Sequence, residues 1–157
     1  MKVEYINPFL ESAFEMFDRM LKVQAQRGDV TVTKGAANPR EIMAIIGLSG
    51  AVRGTVALAF PTGTALALVG RLLEQELRVV DETVSDGLAE FVNIVAGNAK
   101  SRMARNGQAI IDLSLPTVLR GSSFQVDHPS NATWLEVPFT SDLGPFTLRV
   151  TFVINER

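Results

Sequence analysis

The stretch EIMAIIGLSGAVRGTVALAFP, residues 41–61, decides the fold. Two blocks of small and β-branched apolar residues flank a turn signal at Ser49-Gly50. That pattern predicts two strands joined as a hairpin, the second ending at Pro61, which cannot donate to a ladder. Immediately after it, TGTALALVGRLLEQ (62–75) predicts a helix capped by Thr62 or Thr64. A longer helix is predicted from Val84 to Asn106, with Ser85 as its N-cap and Gly107 as its stop.

Upstream, Asn7-Pro8 opens a helix through PFLESAFEMFDRMLKVQ, residues 8–24. Phe9, Ala13, Met16, Phe17, Met20 and Leu21 recur there at helical spacing, and Arg27-Gly28-Asp29 marks the end. Gly35 to Pro39 reads as a loop. Downstream of the long helix, DLSLPTVLRG, SFQVDH, TWLEVPFT and PFTLRVTFVIN read as strands. Turns are expected at Gly121, Pro129-Ser130-Asn131 and Asp142-Leu143-Gly144. The order is helix, hairpin, two helices, then a meander. It predicts an α+β class, one domain over residues 1–157, with helices packed on one face of an antiparallel sheet.

Composition narrows the function classes. The chain has 157 residues, 46% hydrophobic and 20% charged, which suits a packed globular core. The net charge is -2 and no run of Lys or Arg appears, so nucleic acid is not an expected partner. There is no cysteine, which removes thiol catalysis, disulfides and Cys-ligated metal. The single histidine, His128 in DHPSN, lacks the convergent groups of a triad or metal site and reads as a surface-loop residue. MKVEYINPFLES has no signal-peptide pattern, and Gly, Pro or Arg breaks each apolar run before the ~18 residues of a membrane span. A cytoplasmic protein without membrane insertion is expected, in which the sequon Asn131-Ala132-Thr133 carries no meaning.

Within the long helix, EFVNIVAGNAK (90–100) holds residues that a helix needing only to fold would not select. Gly costs about 0.8–1.0 kcal/mol against Ala in a helix interior, and Asn up to roughly 0.7. At 100° per residue, Leu88, Phe91, Val92, Val95 and Ala99 gather on a core face. Asp86, Glu90, Asn93, Gly97, Lys100 and Ser101 gather opposite, as a solvent-facing ridge. Glu90, Asn93 and Gly97 are successive neighbours on it: a carboxylate, a carboxamide and a gap that admits another surface. Asn98 falls at the ridge's edge. A solvated face that happens to hold Asn and Gly fits the same residues, but Lys or Glu would solvate as well at less cost.

The spacing Asp86, three residues, Glu90, two residues, Asn93, twenty-two residues, Pro116 resembles the signature of the CheC/CheX/FliY family of chemotaxis phosphatases. Gly97-Asn98-Ala99 is typical of the same family. YINPFLESAFEMF resembles the first helix of its CheX branch, and AIIGLSGAVRGTVALAFP resembles the CheX hairpin. The likeness runs over essentially the whole chain. It implies a CheC-like fold and hydrolysis of the aspartyl phosphate of a CheY-like response regulator, with that regulator as partner. It implies one site per chain where CheC has two. Matching Glu11 to Glu90 puts Phe14 at the Asn93 position and Asp18 at the Gly97 position, so the first helix lacks the carboxamide.

On this resemblance Glu90 and Asn93 are the catalytic candidates. Acyl-phosphate hydrolysis passes a loose transition state, where positioning matters more than base strength. A carboxamide accepts from water with its oxygen and donates with its NH2, which suits Asn93 to orient the attacking water. Glu90 is expected to pair with the regulator's active-site lysine. Asp86 and Gly97 are expected to contact the partner, although Asp86 also suits a first-turn role against the helix dipole. Pro116 is expected to shape a strand or bulge. No cofactor of its own is expected, and the Mg2+ of the reaction belongs to the regulator. A homodimer through sheet edges is implied, with TLRVTFVIN as an apolar edge in need of cover. The alternative is a module of the same fold that binds a regulator or joins the flagellar switch without catalysis. A small-molecule sensor has no support beyond the capacity of such a fold to hold a pocket.

Overall fold

The computed structural model describes residues 3–33, 41–120 and 134–154. After a 3-10 turn at Val3–Tyr5, helix α1 spans Asn7–Glu15 and continues as a π turn over Met16–Met20. Two short strands follow, β1 (Ala25–Arg27) and β2 (Thr31–Thr33). The hairpin comprises β3 (Glu41–Gly50) and β4 (Val52–Pro61). Then come α2 (Thr62–Leu73), α3 (Glu82–Arg105), β5 (Ile111–Leu113), β6 (Thr117–Leu119), β7 (Trp134–Ser141) and β8 (Phe146–Ile154).

All pairings are antiparallel, in the order β1-β7-β8-β4-β3-β5, with β2 also on β7 and β6 also on β3. Each sheet edge is therefore made of two short strands in line. The hairpin keeps one register from Glu41↔Pro61 to Leu48↔Gly54 and turns at Gly50, whose φ of 96° only glycine adopts readily.

The period-2 pattern sorts the sheet into two faces. Ile42, Ala44, Ile46 and Leu48 of β3 share the helix-covered face with Val56, Leu58 and Phe60 of β4, and with alternate residues of β7 and β8. Phe9, Ala13 and Phe17 from α1 and Leu88, Phe91, Val92, Val95 and Ala99 from α3 complete that core. Phe17, Phe139 and Phe146 form its aromatic centre, with Phe146 stacked on Phe139 at 4.9 Å between ring centroids and 4.3 Å from Phe17. On the other face Met43, Ala57 and Ala59 make a smaller buried cluster.

The expected α+β class and the helices on one face of an antiparallel sheet are found, with four differences. First, the opening helix stops at Met20, not near Arg27. Lys22 takes a left-handed φ of 52°, Val23 N–H donates back to Phe17 O at 2.9 Å, and Ala25–Arg27 pair with Phe139–Ser141. The open side of β7 captures a segment whose local pattern is helical. Second, α2 has Pro61 at its N-cap and no side-chain cap; Thr64 is buried and packs under Gly144 in the β7–β8 turn instead. Third, α3 begins at Glu82, and its N-cap is Asp81, whose Oδ1 accepts from Val84 N–H at 3.2 Å. Ser85 lies inside the first turn. Fourth, TLRVTFVIN supplies β8, which pairs with β4 on one side and β7 on the other, so it is an interior strand and not an edge. Gly35 to Pro39, Gly121, SFQVDH, His128, Pro129-Ser130-Asn131 and the sequon fall outside the described residues.

The ridge of helix α3 as a candidate active site

Helix α3 holds its orientation from both ends and from below. Asp81 caps it, Glu82 lies in the first turn, and Arg102 and Arg105 lie in the last, each sign matched to the helix dipole. Val84, Leu88, Phe91, Val92, Val95, Ala96, Ala99 and Met103 are buried beneath it. Gly87 is buried where α2 crosses: a Cβ there would stand 2.8 Å from Val69 Cγ1. That glycine was missed as a packing residue, although its place between core face and ridge is a signal of close approach.

Arg102 fastens α3 to α1. Its Nη1 donates to Glu11 Oε2 at 3.1 Å and its Nη2 to Glu15, which also accepts from Arg19 Nη1 at 2.9 Å. Neither Asp81 nor Arg102 was singled out in the sequence. Asp81 competes with Ser85 in DETVSD, and the contact of Arg102 with Glu11 joins residues 91 apart.

The opposite face matches the predicted ridge. Asp86, Glu90 and Asn93 are exposed, and around Gly97 a Cβ would meet nothing within 4 Å. The side chains of Asp86, Glu90 and Asn93 make no hydrogen bond or ion pair within the described residues. The carboxylate and the carboxamide are adjacent turns on one face, about 5–6 Å apart at Cβ. Together they present an acceptor-only group and a combined donor–acceptor, both available to a partner. Asn98 is exposed and likewise unbonded. The helix-start reading of Asp86 does not hold, because Asp81 and Glu82 occupy that place and Asp86 lies in the second turn.

Pro116 lies between β5 and β6, where the outer strand breaks its pairing with β3. Ser114 bridges the break: Gly47 N–H donates to Ser114 Oγ at 2.8 Å, and Ser114 N–H donates to Gly47 O at 3.0 Å. The proline therefore stands where an outer strand tolerates a missing N–H.

No helix among the described residues is long and apolar enough to cross a membrane.

Comparison with known proteins agrees with this geometry. The family profile described as chemotaxis phosphatase CheX matches residues 42–140, which include the whole of α3 and Pro116. The CheY-P phosphatase CheX of Thermotoga maritima is 23% identical over 127 residues, covering 80% of this chain and 81% of its own. The crystal structure of a CheC-like superfamily protein from Shewanella sp. PV-4 superposes with a TM-score of 0.87 at 26% identity, over 98% of this chain and 99% of that one. A structure of the CheX–CheY–BeF3–Mg2+ complex from Borrelia burgdorferi gives 0.80 at 25% identity, over 96% and 99%. The hairpin, the capped helix with its exposed ridge and the broken outer strand thus sit in a shared framework, and the chain belongs to the CheX family of chemotaxis phosphatases.

Proposed function

We propose that this protein hydrolyses the aspartyl phosphate of a CheY-like response regulator, with Asn93 and Glu90 as the catalytic residues. The observation that carries the reading is the state of the ridge. Two polar side chains, exposed and without a partner among the described residues, precede a glycine gap on a helix capped at its start and ion-paired near its end. Rigid placement of the helix supplies the orientation that a loose phosphoryl transition state rewards.

In this reading Glu90 pairs with the regulator's lysine and sets the register of the helix against the receiver. Asn93 accepts a hydrogen bond from water and aims it at phosphorus, opposite the aspartyl oxygen. The water oxygen bonds to phosphorus, the bond from phosphorus to the aspartyl oxygen breaks, and inorganic phosphate and a free aspartate result. The water's protons pass to phosphate and solvent. The Mg2+ stays with the receiver throughout. Asp86 and Gly97 meet the receiver on either side of this pair.

The protein acts as a homodimer in this reading. With β8 interior, the edge left for pairing away from α3 is β1–β2, at the far side of the sheet. Sedimentation at several concentrations checks the assembly, and a monomer throughout removes it.

Phosphate release from a panel of phosphorylated CheY-type receivers tests the function. Release above the receivers' own rate is expected for at least one. Binding without accelerated release from any would leave a non-catalytic regulator-binding module.

A further inference from the structure

Among the described residues, Leu115 is the most exposed large apolar side chain, at 88%. A lone exposed leucine is ordinary. This one differs in how it is held. It occupies the break between β5 and β6, and the two hydrogen bonds between Ser114 and Gly47 fix the backbone directly before it. Ser114 Oγ also donates to Leu115 O at 3.0 Å. Interruptions of this kind re-aim side chains out of a ladder.

Its position along α3 follows from the anchored ends. Arg120 Nη1 donates to Val80 O at 2.5 Å just ahead of the helix, and Gln108 N–H donates to Met103 O at 3.0 Å at its far end. The outer strand therefore returns antiparallel to α3, which packs on both β5 and β6. The 24 residues of α3 rise about 36 Å at ~1.5 Å each. Ile111 lies opposite Gly50 and Leu119 opposite Met43, so the outer strand runs about 23 Å along β3 at ~3.3 Å per residue. The strand begins just past the end of α3, and Arg120 is bonded just ahead of the helix's start, so Leu115, midway along the strand, lies toward the middle of α3, the part of the helix that carries Asn93.

We infer that Leu115 is a specificity-determining contact, an apolar knob that seats the receiver beside Asn93. The inference rests on the proposed reaction with a CheY-like regulator. The ridge offers Asp86, Glu90, Asn93 and a gap, but no apolar anchor of its own, and a stable interface needs an apolar centre within its polar ring. Leu115, exposed on the strand that returns along α3, supplies it in this reading.

The test uses a CheY-type receiver that the wild-type protein dephosphorylates, charged with beryllofluoride and Mg2+ for binding and phosphorylated for turnover. Leu115→Ser should weaken binding about tenfold, raise KM in parallel and leave kcat unchanged. Leu115→Met should restore affinity, and the melting temperature of both should match wild type. Unchanged affinity in Leu115→Ser overturns the inference, as does a fall in kcat at constant affinity. If the wild-type protein releases phosphate from no receiver, the failure belongs to the proposed reaction and not to Leu115.

Discussion

Helices α1 and α3 lie side by side on the same face of the sheet, and each leads into an edge made of two short strands. Their outward faces differ. On α1, Glu11 is bonded to Arg102 and Phe14 packs edge-on against Phe139 at 5.3 Å. On α3, Glu90 and Asn93 are exposed and bonded to nothing among the described residues. On the matching of Glu11 to Glu90, the same positions hold the layer together in one helix and stay free among the described residues in the other. The comparison separates what a helix needs for folding from what it holds in reserve for a partner.

That contrast can be broken experimentally at several strengths. Phe91 lies under the ridge, fully buried and within 6.5 Å of both Phe17 and Phe60 by ring centroid. Phe91→Ala should cost about 3–5 kcal/mol, read as a lower urea midpoint, since a buried aromatic leaves a cavity. Arg102→Ala removes the bridge to Glu11 and Glu15. Its side chain is only 23% exposed, but both acids are partly in solvent, so a loss of about 1 kcal/mol is expected. High salt should shrink the difference from wild type. Gly97→Leu should act in the other direction, stabilising the helix by up to about 1 kcal/mol while weakening receiver binding by filling the gap. Unchanged affinity in that variant would remove the role assigned to the gap.

Much of α3 was legible because helical period alone assigns its faces. Leu88, Phe91, Val92, Val95 and Ala99 are all fully buried, and of the polar set opposite Asp86, Glu90, Asn93 and Ser101 are exposed while Gly97 and Lys100 are half-buried. The hairpin was legible from its apolar blocks and from Gly50. The end of α1 was not, because Gln26 and Thr140, 114 residues apart, meet only in the folded sheet. The interior position of β8 was hidden for the same reason: strand order is a property of pairing and has no local pattern. The start of α3 was misplaced because Asp81 and Ser85 both satisfy the capping preference, and periodicity does not distinguish them. Leu115 carries no mark in sequence at all. The inference that it serves the ridge arises only once both ends of the outer strand are tied to α3.

The claim at the centre of this account is that Asn93 serves chemistry and not folding or docking. The direct test is Asn93→Ala, measured for phosphate release from a phosphorylated receiver, for affinity to the same receiver charged with beryllofluoride, and for thermal melting. Turnover should fall about 10²-fold or more, because water is no longer held in line. Affinity should stay within about twofold, and the melting temperature should hold or rise slightly, as alanine is the better helix former. Full turnover in this variant would contradict the account.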